Sequence, residues 1–226
     1  MNKIVAIILL SYIAITSLAQ TSETRNLSSF SGVKASEGID VYLKKGDKET
    51  ARVEVSGGKL TDVLTEVSGS YLKVHMREGN HRNINVKVYV TYVHIDKLSS
   101  SSAGSIFGEE TIKADDIEIS ASSAGTIDVT VDGNRVEASA SSAADIDLKG
   151  RAKTISVDAS SAGEIDAYDL VAETVNAEAS SGASIKINVT ENLNAHASSG
   201  GGIRYRGNPD KSVTNSSSGG SVKKVN

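Results

Sequence analysis

Cysteine and tryptophan are absent from this chain of 226 residues, and proline occurs once. The lack of cysteine excludes disulfide bonds and thiolate metal sites. It also removes the residue that carries the lipid of a bacterial lipoprotein. Aromatic residues make up only 4% of the chain, which counts against a sugar-binding cleft lined with aromatic rings.

Basic clusters and long apolar runs are also scarce. The formal net charge is −4 and the basic residues are scattered, so we expect no nucleic-acid partner. Beyond residue 19 no segment approaches the roughly 20 apolar residues of a membrane-spanning helix, so we expect none in the mature chain.

The N-terminus is the one strongly apolar segment. Lys3 precedes the apolar run Ile4–Ile15, and Ser17-Leu18-Ala19 has the form of a cleavage site. This pattern predicts a signal peptide over residues 1–19, with a retained N-terminal anchor as the alternative. We therefore expect an exported protein, located in the periplasm, on the outer-membrane surface or outside the cell.

What the chain does contain is a repeated phrase of two serines and two small residues. It occurs seven times with a spacing of about 19 residues, which is typical of stacked repeat architectures. The copies begin at Ser101, Ser122, Ser141, Ser160, Ser180, Ser198 and Ser217. Between copies, apolar residues alternate with polar ones, as in Ile155, Val157 and Ala159. We expect parallel coils about 4.8 Å apart, with each phrase forming a tight corner that only small residues fit.

The region before the repeats has a different sequence pattern. Segments such as Ile39–Leu43 and Ile84–Val90 alternate apolar and polar residues and are bounded by glycine, asparagine and aspartate, which predicts strands joined by tight turns. Leu60, Val63, Leu64 and Val67 instead follow a helical spacing and favour one or two helical turns. The predicted fold is all-β. An N-terminal antiparallel β region (20–97) caps a parallel β-solenoid of about seven short coils (98–226).

In-register coils would align equivalent side chains in two outward rows. The first, here called the charged row, follows the isoleucine or valine after each phrase and comprises Phe107, Asp128, Asp147, Asp166, Lys186, Arg204 and Lys223. The second, here called the carboxylate–histidine row, precedes the phrase and comprises Ser120, Ser139, Asp158, Glu178, His196 and Asn215. The predicted binding residues are Asp128, Asp147, Asp166, Lys186, Arg204, Asp158, Glu178 and His196.

Each row can be interpreted either as a solvated surface without a function or as a functional site. Three stacked aspartates could bind a hard cation, but calcium prefers six to eight oxygen ligands and a solvated charged face is favoured. Asp158, Glu178 and His196 could perform acid–base chemistry. However, no Gly-x-Ser-x-Gly elbow is present and the histidines are far apart, so we expect no catalytic residues, no metal and no cofactor.

Several segments resemble the head GIN domain family, an adhesin-labelled family without an established activity. These are Phe30-x-Gly32-Val33, Gly38–Leu43 with Gly46-Asp47, Val86-x-Val88-Tyr89-Val90 and the first Ser-Ala-Gly phrase. The resemblance implies an exported all-β protein of Gram-negative bacteria with a stacked β-helix-like part, and it assigns no functional residues.

The resulting prediction is a non-enzymatic binding or structural protein of the cell envelope or surface, adhesin-like, with a glycan or an envelope protein as partner. The alternative is a carbohydrate-active β-helix enzyme that acts on a polysaccharide through the carboxylate–histidine row. An ice- or mineral-binding ladder is a weaker third interpretation, because such faces usually need regular threonine rows.

Overall fold

A computed structural model of the chain describes residues 21–225, which form seventeen strands of one continuous sheet and one short 3-10 turn. The predicted all-β fold with a solenoid of about seven turns is confirmed. The predicted signal peptide, residues 1–19, lies outside the described residues. Within those residues no helix combines the length and apolar character that a membrane span requires.

The N-terminal half contains nine short strands, most of which alternate buried and exposed residues because one face covers the core. Their bounds are β1 Thr21–Asn26, β2 Gly32–Ala35, β3 Asp40–Lys45, β4 Thr50–Ser56, β5 Val63–Ser68, β6 Tyr71–Met76, β7 Asn85–Tyr92, β8 Lys97–Ser100 and β9 Ser105–Gly108.

The spacing of Leu60, Val63, Leu64 and Val67 predicted one or two helical turns, and this prediction is wrong from Val63 onward. Only Leu60–Asp62 form a 3-10 turn, and Val63 already begins strand β5. That strand pairs antiparallel with β6 along its whole length, from Val63 opposite Met76 to Ser68 opposite Tyr71. Pairing with a neighbouring strand therefore overrides a short helical pattern.

The N-terminal strands combine antiparallel and parallel pairing. β1 pairs antiparallel with β4, and β4 pairs antiparallel with β7. In contrast, β2 pairs in parallel with β6 and β8, and β3 pairs in parallel with β7 and β9. The β2–β3 unit is thus a coil of the stack that lies between β6–β7 and β8–β9, so the order of coils differs from the order of the chain.

The remaining strands build the solenoid, and each of the long ones runs from one corner to the next. Their bounds are β10 Ile112–Ala121, β11 Thr126–Ala140, β12 Asp145–Ala159, β13 Glu164–Ala179, β14 Ser184–Ala197, β15 Gly202–Arg206, β16 Lys211–Ser216 and β17 Ser221–Lys224. Equivalent residues are paired in parallel register, so identical apolar side chains form continuous ladders inside. One such ladder, fully buried, comprises Ile127, Ile146, Ile165, Ile185 and Ile203.

Each repeated phrase forms a tight turn with two consecutive residues of positive φ. In the copy at Ser160, Ser161 and Ala162 have φ values of 49° and 61°. The Gly163 N–H donates to the Ser160 carbonyl at 2.9 Å. Two positive φ values closed by this bond are the marks of a type I′ turn. Ala162 N–H also donates to the Ser181 carbonyl of the next coil at 3.1 Å, so backbone bonds tie successive corners together.

The fourth position of the phrase is small because the coils approach closely there. Gly163 lies outside the positive-φ region, but a Cβ at this residue would lie 2.6 Å from the Ala140 carbonyl oxygen. Two copies accept alanine, Ala144 and Ala183, and both side chains are buried. The predicted steric corner is therefore confirmed, with its positive φ on the second and third residues.

The coils bend a second time near the middle of each long strand. In β11 the buried residues are Ile127, Val129 and Val131 and then Val136, Ala138 and Ala140. Val136 is five residues after Val131, an odd number, whereas a straight strand buries every second residue. The chain therefore changes direction between these two valines. Through the register of the coils, this bend recurs along the stack and shapes a groove described below.

The last coil closes the core with polar residues. Ser212, Thr214 and Ser216 of β16 pair with the buried Leu193, Ala195 and Ala197 of β14. They continue the inward column of the solenoid, but all three are exposed. In this column polar side chains thus replace the apolar residues of the preceding coil, while Val213 of the same strand is exposed.

Candidate functional site

The charged row predicted from the repeat is in register. Parallel pairing places Phe107 beside Asp128, then Asp147, Asp166, Lys186, Arg204 and Lys223 in turn. All seven side chains lie on the outer face of the sheet, because each follows an inward Ile or Val. The structure thus brings Asp128, Asp147, Asp166, Lys186 and Arg204 together on one surface, while their role in binding stays a prediction.

The centre of the charged row is neutralised within the chain. Lys186 Nζ lies 2.8 Å from Glu164 Oε1 and 2.9 Å from Asp166 Oδ2. The hydrogen bonds that Lys186 donates to the carboxylates of Glu164 and Asp166 raise the pKa of Lys186 well above its usual range. At the acidic end, Lys149 Nζ lies 2.9 Å from Asp128 Oδ1. Cross-strand pairs of opposite charge therefore stabilise part of the row.

The charged form of Asp147 is disfavoured on this surface. Partial burial raises its pKa first, and the neighbouring charges of Asp145, Asp128 and Asp166 raise it further. The pKa of Asp145 is raised in the same way, by burial and then by Glu164. The raised pKa values show that burial and the neighbouring carboxylates disfavour the charged forms of Asp145 and Asp147.

This acidic surface contains no evident metal centre. Within residues 21–225, no group of three or more histidine, aspartate or glutamate side chains is arranged to hold a metal ion. The aspartates are instead spread along the row, one per coil, at the spacing of neighbouring strands.

An aromatic stack continues the charged row toward the N-terminal end. Tyr89, Tyr42 and Phe107 occupy successive coils, with ring centroids 5.1 Å apart for the first pair and 5.2 Å for the second. The guanidinium of Arg52 lies 4.1 Å from the Tyr89 ring centroid. Because the rings pack face to face along the stack, the inner faces are occupied and mainly the edges meet solvent. The sequence did not reveal this stack, because aromatic residues are few and its members are separated by up to 65 residues along the chain.

The carboxylate–histidine row is also in register. Asp158 pairs with Glu178, and Glu178 pairs with His196. Burial and then the charge of Glu178 raise the pKa of Asp158. Asp158 and Glu178 line a shallow hollow of about 360 Å³ together with Glu118 and Glu137. His196 is exposed and lies one coil beyond, so its part in binding or catalysis stays a prediction.

A second concave surface is a groove that the sequence did not reveal. It has a volume of about 670 Å³ and follows the second bend of the coils. Its floor is a column of small residues paired in register, Ala114, Gly133 and Ala152. We call it the bend groove. Small residues at one repeat position were visible in the sequence, but the concavity depends on the bend of the strands.

The walls of the bend groove carry balanced charges. Three cations and three carboxylates face it, namely Lys113, Arg151 and Lys153 with Asp115, Asp132 and Glu173. Arg151 binds Asp132 through two hydrogen bonds of 2.9 and 2.8 Å, and these bonds lower the pKa of Asp132. The Asn134 amide donates to Asp115 at 3.0 Å. The groove is therefore polar, pre-organised and without a net formal charge.

A protein-family model matches residues 29–209 of the chain, and its description is "Putative auto-transporter adhesin, head GIN domain". The matched segment covers most of the described strands. It contains the residues on which the resemblance to this family was based. No match was found among curated proteins.

Solved structures share the fold at low sequence identity. A "putative adhesin" from Bacteroides fragilis is 17% identical and superimposes with a TM-score of 0.81, over 92% of this chain and 98% of that one. A "putative adhesin" from Parabacteroides merdae is 17% identical with a TM-score of 0.76, over 92% and 96%. A "Putative lipid binding protein" from Parabacteroides distasonis is 18% identical with a TM-score of 0.70, over 92% and 97%. At these identities the likeness shows the fold alone.

Proposed function

Because the chain belongs to the head GIN domain family of adhesin-labelled proteins, we propose that it is an exported, adhesin-like protein of the cell envelope. In this proposal it binds its ligand without transforming it. The sequence of residues 1–19, with its apolar run and cleavage signal, supports export to the periplasm, the outer-membrane surface or the medium.

The observation that carries this proposal is the bend groove. It extends across consecutive coils on a rigid sheet, so it matches an extended ligand that lies along the axis of the stack. Its walls offer hydrogen-bond donors and acceptors in equal measure, with three cations and three carboxylates. Such a surface suits an uncharged, hydroxyl-rich polymer better than a polyanion, because the balanced charges of the walls provide no net attraction for a charged chain. The proposed ligand is therefore a neutral glycan chain.

A groove-filling variant tests this assignment. Asn134 is exposed at the centre of the groove wall, so Asn134→Tyr places a ring in the path of the ligand without altering the core. We expect wild-type protein to bind neutral oligosaccharides on a glycan array, and Asn134→Tyr to weaken that binding by about tenfold or more in calorimetry.

The matched control is Asn194→Tyr, the same substitution at an exposed strand position outside the groove, and we expect it to bind like the wild type. An array on which the wild type binds no neutral glycan would count against the proposal. Equal binding by Asn134→Tyr would exclude the groove as the site. Shortening of a bound glycan during the assay would favour the alternative enzyme, with Asp158, Glu178 and His196 as its candidates.

A further inference from the structure

The charged row is complementary to a reversed copy of itself. From one end to the other it reads three carboxylates, Asp128, Asp147 and Asp166, and then three cations, Lys186, Arg204 and Lys223. If a second row lies against it in the opposite direction, every carboxylate faces a cation. A row in the same direction would instead place Asp147 against Asp147 and Arg204 against Arg204.

From this pattern we infer that the outer face bearing the charged row is a self-association surface, and that its partner is a second copy of this chain. The two copies are related by a two-fold axis parallel to the strands, midway between those of Asp166 and Lys186. Each copy uses the same patch, which is the usual arrangement of a symmetric dimer. The contacts are Asp128 with Lys223, Asp147 with Arg204 and Asp166 with Lys186, each made twice.

One carboxylate and two cations of this row are available for an outside partner. Within residues 21–225, the side chains of Asp147, Arg204 and Lys223 form no hydrogen bond or ion pair. Arg204 and Lys223 are exposed, and Asp147 is half-buried among other carboxylates. Two parts of the row already have partners within the chain, since Lys186 lies 2.9 Å from Asp166 and Lys149 lies 2.9 Å from Asp128.

The adjacent column fits the same arrangement in size as well as charge. It comprises Thr126, Asp145, Glu164, Ser184, Gly202 and Ser221, paired in register. The reversed copy places Asp145 opposite Gly202 and Glu164 opposite Ser184. Acidic side chains thus meet small residues, which leaves room for them to approach the partner's Arg204 and Lys186.

The column on the other side of the row brings two cations together, Lys149 opposite Arg206. Both already have partners within their own chain. Lys149 Nζ lies 2.9 Å from Asp128, and the guanidinium of Arg206 lies 4.0 Å from the Tyr168 ring centroid. These internal contacts reduce the cost of the approach, because Asp128 neutralises Lys149 and the Tyr168 ring attracts the guanidinium of Arg206.

The size of the surface predicts a weak, salt-sensitive dimer. Five strand steps of about 4.8 Å and a strand segment of about 20 Å give roughly 480 Å² for each copy. The total, about 1,000 Å², lies below the roughly 1,200 Å² at which stable interfaces begin. We therefore expect dissociation in the micromolar range and a further loss of association as salt screens the charges.

A reciprocal charge swap tests the inference in sedimentation velocity experiments on the mature chain at low salt. Asp147→Arg alone faces Arg204 of the partner subunit, and Arg204→Asp alone faces the partner's Asp147. Each single variant should weaken the dimer by about tenfold or more, since like charges then meet. The double variant carries the swapped pair and should return to within about threefold of the wild type.

Matched controls place the same charge changes outside this face. Asp47→Arg and Lys45→Asp alter exposed residues near the end of β3 and should leave the dimer constant unchanged. Circular dichroism checks that each variant folds. If either single variant does not fold, Asp128→Lys and Lys223→Asp provide a second reciprocal pair. A wild type that stays monomeric at about 1 mM and low salt would overturn the inference, and so would a double variant that remains as weak as the singles.

Discussion

At the scale of the residue, the repeated phrase is explained by backbone conformation and space. Its second and third positions adopt positive φ in every copy, and the residue at the third position is alanine in four copies and glycine in three. The left-handed conformation costs a residue with a Cβ about 1–2 kcal/mol, whereas glycine accepts it. The alanine corners therefore store strain that the glycine corners do not.

Replacing one strained alanine should stabilise the protein. Ala143 is exposed and has a φ of 58°. We expect Ala143→Gly to raise the free energy of unfolding by about 0.5–1 kcal/mol, because the relief of strain exceeds the entropy that glycine adds to the unfolded chain. Urea denaturation measures the difference. Ala138→Gly, at a buried strand position of the same coil, is the control and should destabilise. A loss of stability in both variants would refute the explanation.

At the scale of the element, the ladders that join neighbouring strands have distinct physical roles. The inward isoleucine ladder supplies the hydrophobic core. The outward charged row stabilises the sheet where opposite charges are paired and opposes it where aspartates are neighbours. The aromatic stack on β7, β3 and β9 fastens the N-terminal strands to the first repeat, since Tyr42 contacts a ring on each side.

Removing the central ring of that stack should weaken the junction between the N-terminal region and the repeats. We expect Tyr42→Ala to lower the free energy of unfolding by about 1–3 kcal/mol, since two ring pairs of about 0.5–1.5 kcal/mol each are lost. The control Tyr42→Phe keeps both ring contacts and should remain within about 0.5 kcal/mol of the wild type. Thermal denaturation followed by circular dichroism compares the three proteins. Equal effects of the two substitutions would show that stacking is not the source of the stability.

At the scale of the whole molecule, the solenoid is a nearly one-dimensional stack in which each coil contacts its two neighbours. Equivalent residues of β11, β12 and β13 are paired in register, apart from a shift of one residue between Asp147 and Lys149, so a coil removed between corresponding positions leaves largely matching surfaces. The β2–β3 coil cannot be removed in the same way. It lies between β6–β7 and β8–β9, although the chain forms it first.

Excision of one repeat should therefore be tolerated. Deleting residues 145–163 joins Ala144 to Glu164 and brings β11 against β13. We expect a folded protein with one cooperative transition, a lower midpoint and a smaller denaturant dependence, because less surface is buried. Deleting residues 32–45, the β2–β3 coil, should instead abolish cooperative unfolding. Circular dichroism and urea titration distinguish the two, and similar behaviour of both deletions would contradict the stacking order described above.

The sequence by itself determined the solenoid, its corners and the alignment of both outward rows. This was possible because parallel in-register stacking converts a constant spacing along the chain directly into neighbours in space. Asp128, Asp147, Asp166, Lys186 and Arg204 could therefore be placed in one row without coordinates. The antiparallel pairing of β5, which replaced the expected helix, could not be read from so short a pattern.

Only the tertiary structure decided features that depend on contacts between segments distant in the chain. The insertion of β2–β3 into the stack requires pairing with strands that follow it, and the aromatic stack is a consequence of that insertion. The bend groove arises because all coils turn at the same level, which no single repeat reveals. The periodic part of the molecule follows from local spacing, whereas its junctions and concave surfaces follow from non-local pairing.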